Sequence, residues 1–193
     1  MTADEPSILR PPDAPPVFVH DPAELDRLAA RAEKTTRRFR RWVRAECSLP
    51  DEDLEARVRA AADQVWRGIS CLECGKCCYA RNITVDDADV RRLSAFLGMK
   101  EAAFCRRYVR TVDGEPAIAA GPCPFLDDTA CTVYAARPTA CRDFPFLHAC
   151  GFRKRILYLM DLAHLCPIVY ATLEELKATL PWRRRQPPDL PGE

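Results

Sequence analysis

The run Cys71-Leu72-Glu73-Cys74-Gly75-Lys76-Cys77-Cys78 limits what this chain can become more than any other stretch. Its two gaps of two residues put Cys71, Cys74 and Cys77 within reach of one metal centre, because a tight C-x-x-C loop can turn its sulfurs inward. Gly75 supplies the backbone freedom that such a sharp loop needs. Cys78 stands apart. Adjacent residues of an extended or turned backbone point away from each other. Cys78 is therefore expected to serve a second metal, or the other side of a cluster. The run reads as a hub joining two ligand sets, with further ligands from far along the chain.

Cys123, Cys131 and Cys141 follow in a tight series, and Cys166 comes last, directly before Pro167. Cys47 and Cys105 sit in helical patterns without a C-x-x-C partner, where cysteine acts as a small buried hydrophobe. Cys150 is a reserve ligand. A disulfide framework is the competing explanation for so many cysteines. Against it stand their odd number, eleven, the C-x-x-C spacing, and an N-terminus without a secretory apolar region, which together point to metal and to the cytoplasm. No apolar run approaches the ~20 residues of a membrane span. A net charge of +1 gives no strong field to steer nucleic acid. The partners expected are metal ions, with a protein partner left open.

In order along the chain, Cys71-x-x-Cys74-x-x-Cys77-Cys78, Cys123-Pro124-Phe125-Leu126, Cys131-Thr132-Val133-Tyr134, Arg137-Pro138-x-x-Cys141-Arg142-x-Phe144-Pro145 and Cys166-Pro167 resemble the CxxCxxCC family, the YkgJ-like cysteine-cluster proteins described as a zinc- or iron-chelating domain. The resemblance spans about residues 68–168. It implies metal chelation by Cys71, Cys74, Cys77, Cys78, Cys123, Cys131, Cys141 and Cys166. Within the matched elements, Arg137 and Arg142 are expected to stand behind the thiolates, hydrogen-bonding sulfur and offsetting charge. Phe144, Pro145 and Phe146 would wall the site from water. A similar cluster is associated with flagellin lysine N-methylases, so the resemblance also carries an enzyme reading, with a protein-modifying activity.

Zinc and iron–sulfur both suit four thiolates. Two sets of four would make two closed zinc sites, with Zn–S of ~2.3 Å. The C-x-x-C-x-x-C run with a remote Cys-Pro is instead similar to a bacterial ferredoxin ligand pattern, the basis of an iron–sulfur enzyme or electron carrier. Other catalytic signatures are missing: no glycine-rich phosphate loop, no H-E-x-x-H and no G-x-S-x-G. His148 and His164 flank the late cysteines and rank low as substitute ligands.

The fold class expected is α+β, mostly helical with a small β-hairpin: a metal-stabilised cysteine-cluster domain (68–180) behind an N-terminal helical hairpin (21–67). A proline-rich disordered leader (1–20) and a tail (181–193) complete the chain. Asp21-Pro22-Ala23-Glu24 starts the first helix, with Glu24 at the capping-box position. Arg37, Arg38, Arg40, Arg41 and Arg44 make its second half basic, a solvated face. A second helix follows over 51–67. Thr84 is read as the N-cap of a third, and Asp86, Asp87 and Asp89 as ordinary helix-start residues rather than cation ligands. A short helix at 101–107 follows. Asp113-Gly114 signals a hairpin, 152–159 a strand, and 168–180 a last helix.

Overall fold

The computed structural model describes residues 21–182. The expected leader, with His20, and the tail from residue 183 onward lie outside the described residues. The chain is mostly helical with a small antiparallel sheet, as the fold class anticipates. Among the described residues no helix is long and apolar enough to cross a membrane.

Helix α1 (Pro22–Ala45) is capped by Asp21, whose carboxylate accepts from the Ala23 amide at 3.0 Å. Glu24 does not complete a capping box. It turns instead to the Arg27 guanidinium one helical turn ahead, at 2.6 Å. Helix α2 (Asp51–Trp66) starts after Pro50 without a side-chain cap, and Asp51, Glu52 and Asp53 in its first turn face the helix dipole. Its stripe of Leu54, Val58, Ala61 and Val65 is buried, at the i, i+4, i+7, i+11 spacing of one helix face.

The strand expected at 152–159 is a helix, α7 (Phe152–Leu162). Phe152, Ile156 and Leu159 recur at helical spacing and are fully buried, whereas Lys154 breaks the alternation a strand would need. Helix α8 (Pro167–Thr179) follows with Pro167 in its first turn, where the missing amide hydrogen is no loss. The helices α1 and α2 pack on α7 and α8, and all four share one core that includes Phe39, Leu54, Phe152, Ile156, Val169 and Leu176. Arg153 on α7 ties this layer to the α1–α2 connection. It donates to Asp51 at 2.6 Å, to the Leu49 carbonyl at 2.5 Å, and to the Val43 carbonyl.

A second, smaller core lies in the middle of the chain. Helix α4 (Asp87–Phe96) is capped not by Thr84 but by Asp86, in a capping box with Asp89. Thr84 belongs to the short strand β1 (Ile83–Thr84). Helix α5 (Glu101–Tyr108) leads into β2 (Arg110–Val112) and β3 (Glu115–Ile118), with Asp113 and Gly114 both at positive φ, 51° and 85°, as a tight hairpin requires. The sheet order is β1-β3-β2, antiparallel throughout, with Ile83 opposite Ile118 and Arg110 opposite Ala117. Leu93, Phe104, Ile83, Ile118 and Phe125 fill the space between sheet and helices. The rings of Tyr108 and Phe125 lie 4.8 Å apart.

Leu176 is fully buried in the first core, so Leu176→Ala is expected to cost about 2–5 kcal/mol. Chemical denaturation measures it. A loss below about 1 kcal/mol would contradict a core that joins α8 to the N-terminal helices.

Candidate metal centre

Between the two cores the chain brings its cysteines together. Ser70 opens the hub by accepting from the Leu72 amide, which bends 71–73 into a single tight turn. The Cys74 and Gly75 amides both donate back to the Cys71 carbonyl, at 3.3 and 3.4 Å. Gly75 has φ of +61°, and a side chain there would come within 3.2 Å of the Thr129 backbone. Only glycine meets both demands. Thr129 in turn donates its hydroxyl to the Leu72 carbonyl at 3.1 Å. It sits in the turn of a second hairpin, β4 (Leu126–Asp127) and β5 (Ala130–Cys131). This hairpin forms a knuckle between Cys123 and Cys131. The Cys123 amide donates to the Cys78 carbonyl at 2.9 Å, which seats the knuckle on the hub.

Cys77 and Cys78 open the short helix α3 (Cys77–Ala80). Their side chains are not set opposite each other, as an extended backbone would set them. The reason is geometric: successive residues of a helix stand ~100° apart rather than opposite. Cys141 is carried by helix α6 (Thr139–Asp143), and Cys166 is the N-cap residue of α8.

Two cavities hold these sulfurs. The larger, about 100 Å³, is lined by Cys71, Cys77, Cys78, Cys123, Cys131 and Cys141. The smaller, about 30 Å³, is lined by Cys71, Cys74, Cys77 and Cys166. Cys71 and Cys77 face both, and Cys77 lies within electrostatic reach of all seven other thiols. Phe144 stands in the wall of both cavities and Pro145 in that of the smaller, as the sequence led us to expect of this stretch. Cys47, Cys105 and Cys150 line neither cavity. Cys105 packs half-buried against the second core, and Cys150 is exposed. His148 and His164 are also elsewhere, bonded to Asp63 at 2.8 Å and Asp26 at 2.7 Å.

Burial sets the protonation of the cluster. It pushes the thiols of Cys71 up to about 11 and of Cys141 and Cys166 up to about 12, and it raises Cys74, Cys123 and Cys131 as well. Cys77 is the exception, moved down to about 7 chiefly by the adjoining Cys78 thiol, with the Arg81 guanidinium helping. Cys78, beside Cys77 and partly buried among the other thiols, is pushed up.

Three guanidinium groups border the larger cavity, Arg81, Arg137 and Arg142. Arg137 stacks on the Tyr134 ring, 3.8 Å from its centroid, and gives one hydrogen bond to the Tyr134 carbonyl. Its charge reaches Cys71 and Cys131. Arg142 is occupied differently. It donates to the carbonyls of Arg137 and Ala135, at 3.0 and 2.9 Å, and so braces the loop before α6. Arg81 was not singled out by the sequence. It lies over the Phe144 ring, 4.0 Å from the centroid, and its charge reaches Cys77 and Cys141. Its position four residues after Cys77, one helical turn on, was the available signal.

A second brace was also hidden. Asp89 on α4 is buried and accepts from both the amide and the hydroxyl of Thr139, each at 3.0 Å, and from Arg92. Arg92 also donates to the carbonyls of Ala136 and Arg137. Asp89 thus does more than begin a helix: it fixes the N-terminus of the helix that carries Cys141.

The metal-ligating side chains of the two cavities are thiols, with no histidine or carboxylate in their walls. Such a donor set fits a thiophilic metal and not a hard cation. As the side chains stand, no three His, Cys, Asp or Glu groups among the described residues form a ready-made site. The class of protein defined here is a cysteine-cluster metal chelator. The chain belongs to the CxxCxxCC family, whose model, described as "Putative zinc- or iron-chelating domain", matches residues 70–167. No solved structure matches the chain.

Burial opposes ionisation of Asp89, but the two Thr139 donors and Arg92 outweigh it and hold the carboxyl below its ordinary value. Its contribution to stability is therefore present at neutral pH and lost as pH falls through that lowered value. Asp89→Asn is expected to cost about 1–3 kcal/mol at pH 7, read by denaturation. A variant as stable as the parent chain would show that this brace holds nothing.

Proposed function

We propose that the chain chelates zinc or iron through the thiols of Cys71, Cys74, Cys77, Cys78, Cys123, Cys131, Cys141 and Cys166, and that the bound metal closes the seam between its two cores. The observation that supports this most directly is that eight thiols, and no histidine or carboxylate, line two cavities. One gathers Cys71, Cys74, Cys77 and Cys166, and the other gathers the knuckle thiols with Cys78 and Cys141. Arg137, stacked beside Cys131 and Cys71, offsets thiolate charge. Arg142 supports it through its carbonyl. Eleven free thiols belong in a reducing compartment, and the cytoplasm is the place proposed for this protein.

One observation favours iron–sulfur as a second reading. Six sulfurs surround a space of about 100 Å³, more than one ion held ~2.3 Å from sulfur requires. An iron–sulfur centre would make the protein an electron carrier or an enzyme, including the lysine-modifying kind that the sequence resemblance implies.

Metal and sulfide analysis of protein purified without oxygen separates the two. Zinc without sulfide supports the first reading, and iron with acid-labile sulfide the second. Cys166→Ser and Cys131→Ser are each expected to lower bound metal, since each removes a thiol from a different cavity. Full metal content in both variants would contradict the ligand sets. Stripping the metal is expected to lower the thermal midpoint by about 10 °C or more, because metal binding to thiolates is also folding free energy. An unchanged midpoint after verified removal would contradict the structural role.

A further inference from the structure

The net charge of +1 conceals a separation of charge. From Lys34 to Arg44, helix α1 carries six cations and no acid. Phe39 and Val43 are fully buried in the four-helix core, which fixes how the helix is turned. With 3.6 residues per turn, Lys34, Arg37, Arg38, Arg41 and Arg44 fall within an arc of about 120° on the opposite side. All five are exposed. Arg37 is paired with Glu33 at 2.5 Å. The other four have no ion-pair partner among the described residues. Asp51, at the start of α2, is taken by Arg153.

The last described residue adds to this face. Trp182 packs edge-on against Phe39, with ring centroids 5.5 Å apart, and its indole N–H donates to the Lys177 carbonyl at 2.7 Å. Arg183, Arg184 and Arg185 follow it directly, and three residues reach at most about 11 Å from that anchor. These two stretches hold nine of the chain's 29 lysines and arginines and none of its 28 acids. The remaining 20 cations face 28 acids, so the rest of the chain is negative by eight.

From this separation we infer that the basic face of α1 is a docking surface for the phosphate backbone of a nucleic acid. Eight of the nine cations are arginines, whose planar fork suits phosphate oxygens better than an ammonium does. A bilayer fits less well. The apolar face of α1 is spent on the core, so nothing remains for the helix to insert between lipids. The exposed arc offers only lysine and arginine, which hold phosphates without reading bases, so the binding is independent of sequence. None of this rests on the metal-chelating reading.

The full chain as purified is titrated, with fluorescence anisotropy as the readout, into a labelled DNA duplex of about 20 base pairs and a labelled RNA strand of about 20 nucleotides. Four or more phosphate contacts are expected. Raising salt from about 50 to about 200 mM then weakens duplex binding at least about 150-fold and strand binding at least about 50-fold. Arg38→Gln combined with Arg41→Gln is expected to lower the salt slope by about 2, with circular dichroism and metal content unchanged. Arg91→Gln combined with Arg106→Gln, on the helices of the smaller core, is expected to change nothing. No binding to either nucleic acid at about 50 mM salt and about 100 µM protein would overturn the proposal. So would equal losses in the two double variants. Binding confined to phosphatidylserine vesicles would overturn it in favour of a membrane surface. Salt-sensitive self-association without nucleic-acid binding would do the same in favour of the acidic remainder of a second copy.

Discussion

Thiols are comfortable in apolar surroundings only while they keep their protons, and this tension organises the whole molecule. Cys77 and Cys166 sit against the four-helix core, whereas Cys123, Cys131 and Cys141 pack against the smaller core built on the three-stranded sheet. Neither core is large. The sulfurs lie where the two meet, with Phe144 between the cavities as a common wall. Burial holds most of them protonated, and only Cys77, beside Cys78 and the Arg81 cation, is moved the other way. A soft cation is the species that can replace several such protons at once without bringing water into the seam.

Precision at the seam comes from groups that touch no sulfur. Ser70 bends the hub, Gly75 lets the knuckle approach, and Thr129 ties its turn to Leu72. Asp89, Arg92 and Arg142 hold the loop that presents Arg137 and Cys141, mostly by occupying backbone carbonyls and amides that the irregular chain leaves unpaired. This is the usual way in which a site on loops acquires the rigidity of one built on regular elements.

Much of this was legible in the residues because the signals were local. The C-x-x-C spacing, the Asp113-Gly114 turn, the apolar stripes of α2 and α8 and the acidic start of α4 all act within a few positions. Phe152–Leu162 was misread because Lys154 and Tyr158 blur both periods, and the decision between them belongs to what lies opposite, the faces of α1 and α2. Cys77 and Cys78 were expected to point apart because the turn around Gly75 hides the short helix that follows it. Arg81 and Asp89 were overlooked as site residues for a related reason. Their partners lie at Phe144 and Thr139, and no sequence pattern announces a contact across fifty positions.

The order in which the sulfurs leave the ribosome follows from where Cys166 sits. The hub is made early, but the last sulfur of the smaller cavity, together with α7 and α8 that bury it, comes about 95 residues later. At synthesis rates of ~5–20 residues per second, that is an interval of about 5–20 seconds. During it Cys71, Cys74 and Cys77 have no core above them. The knuckle thiols, Cys123 and Cys131, reach Cys78 sooner, the later of them 53 residues after it. The nascent protein therefore completes one side of its cluster before the other exists. Its most exposed moment toward oxidants or a wrong metal is a matter of translation timing rather than of the finished fold.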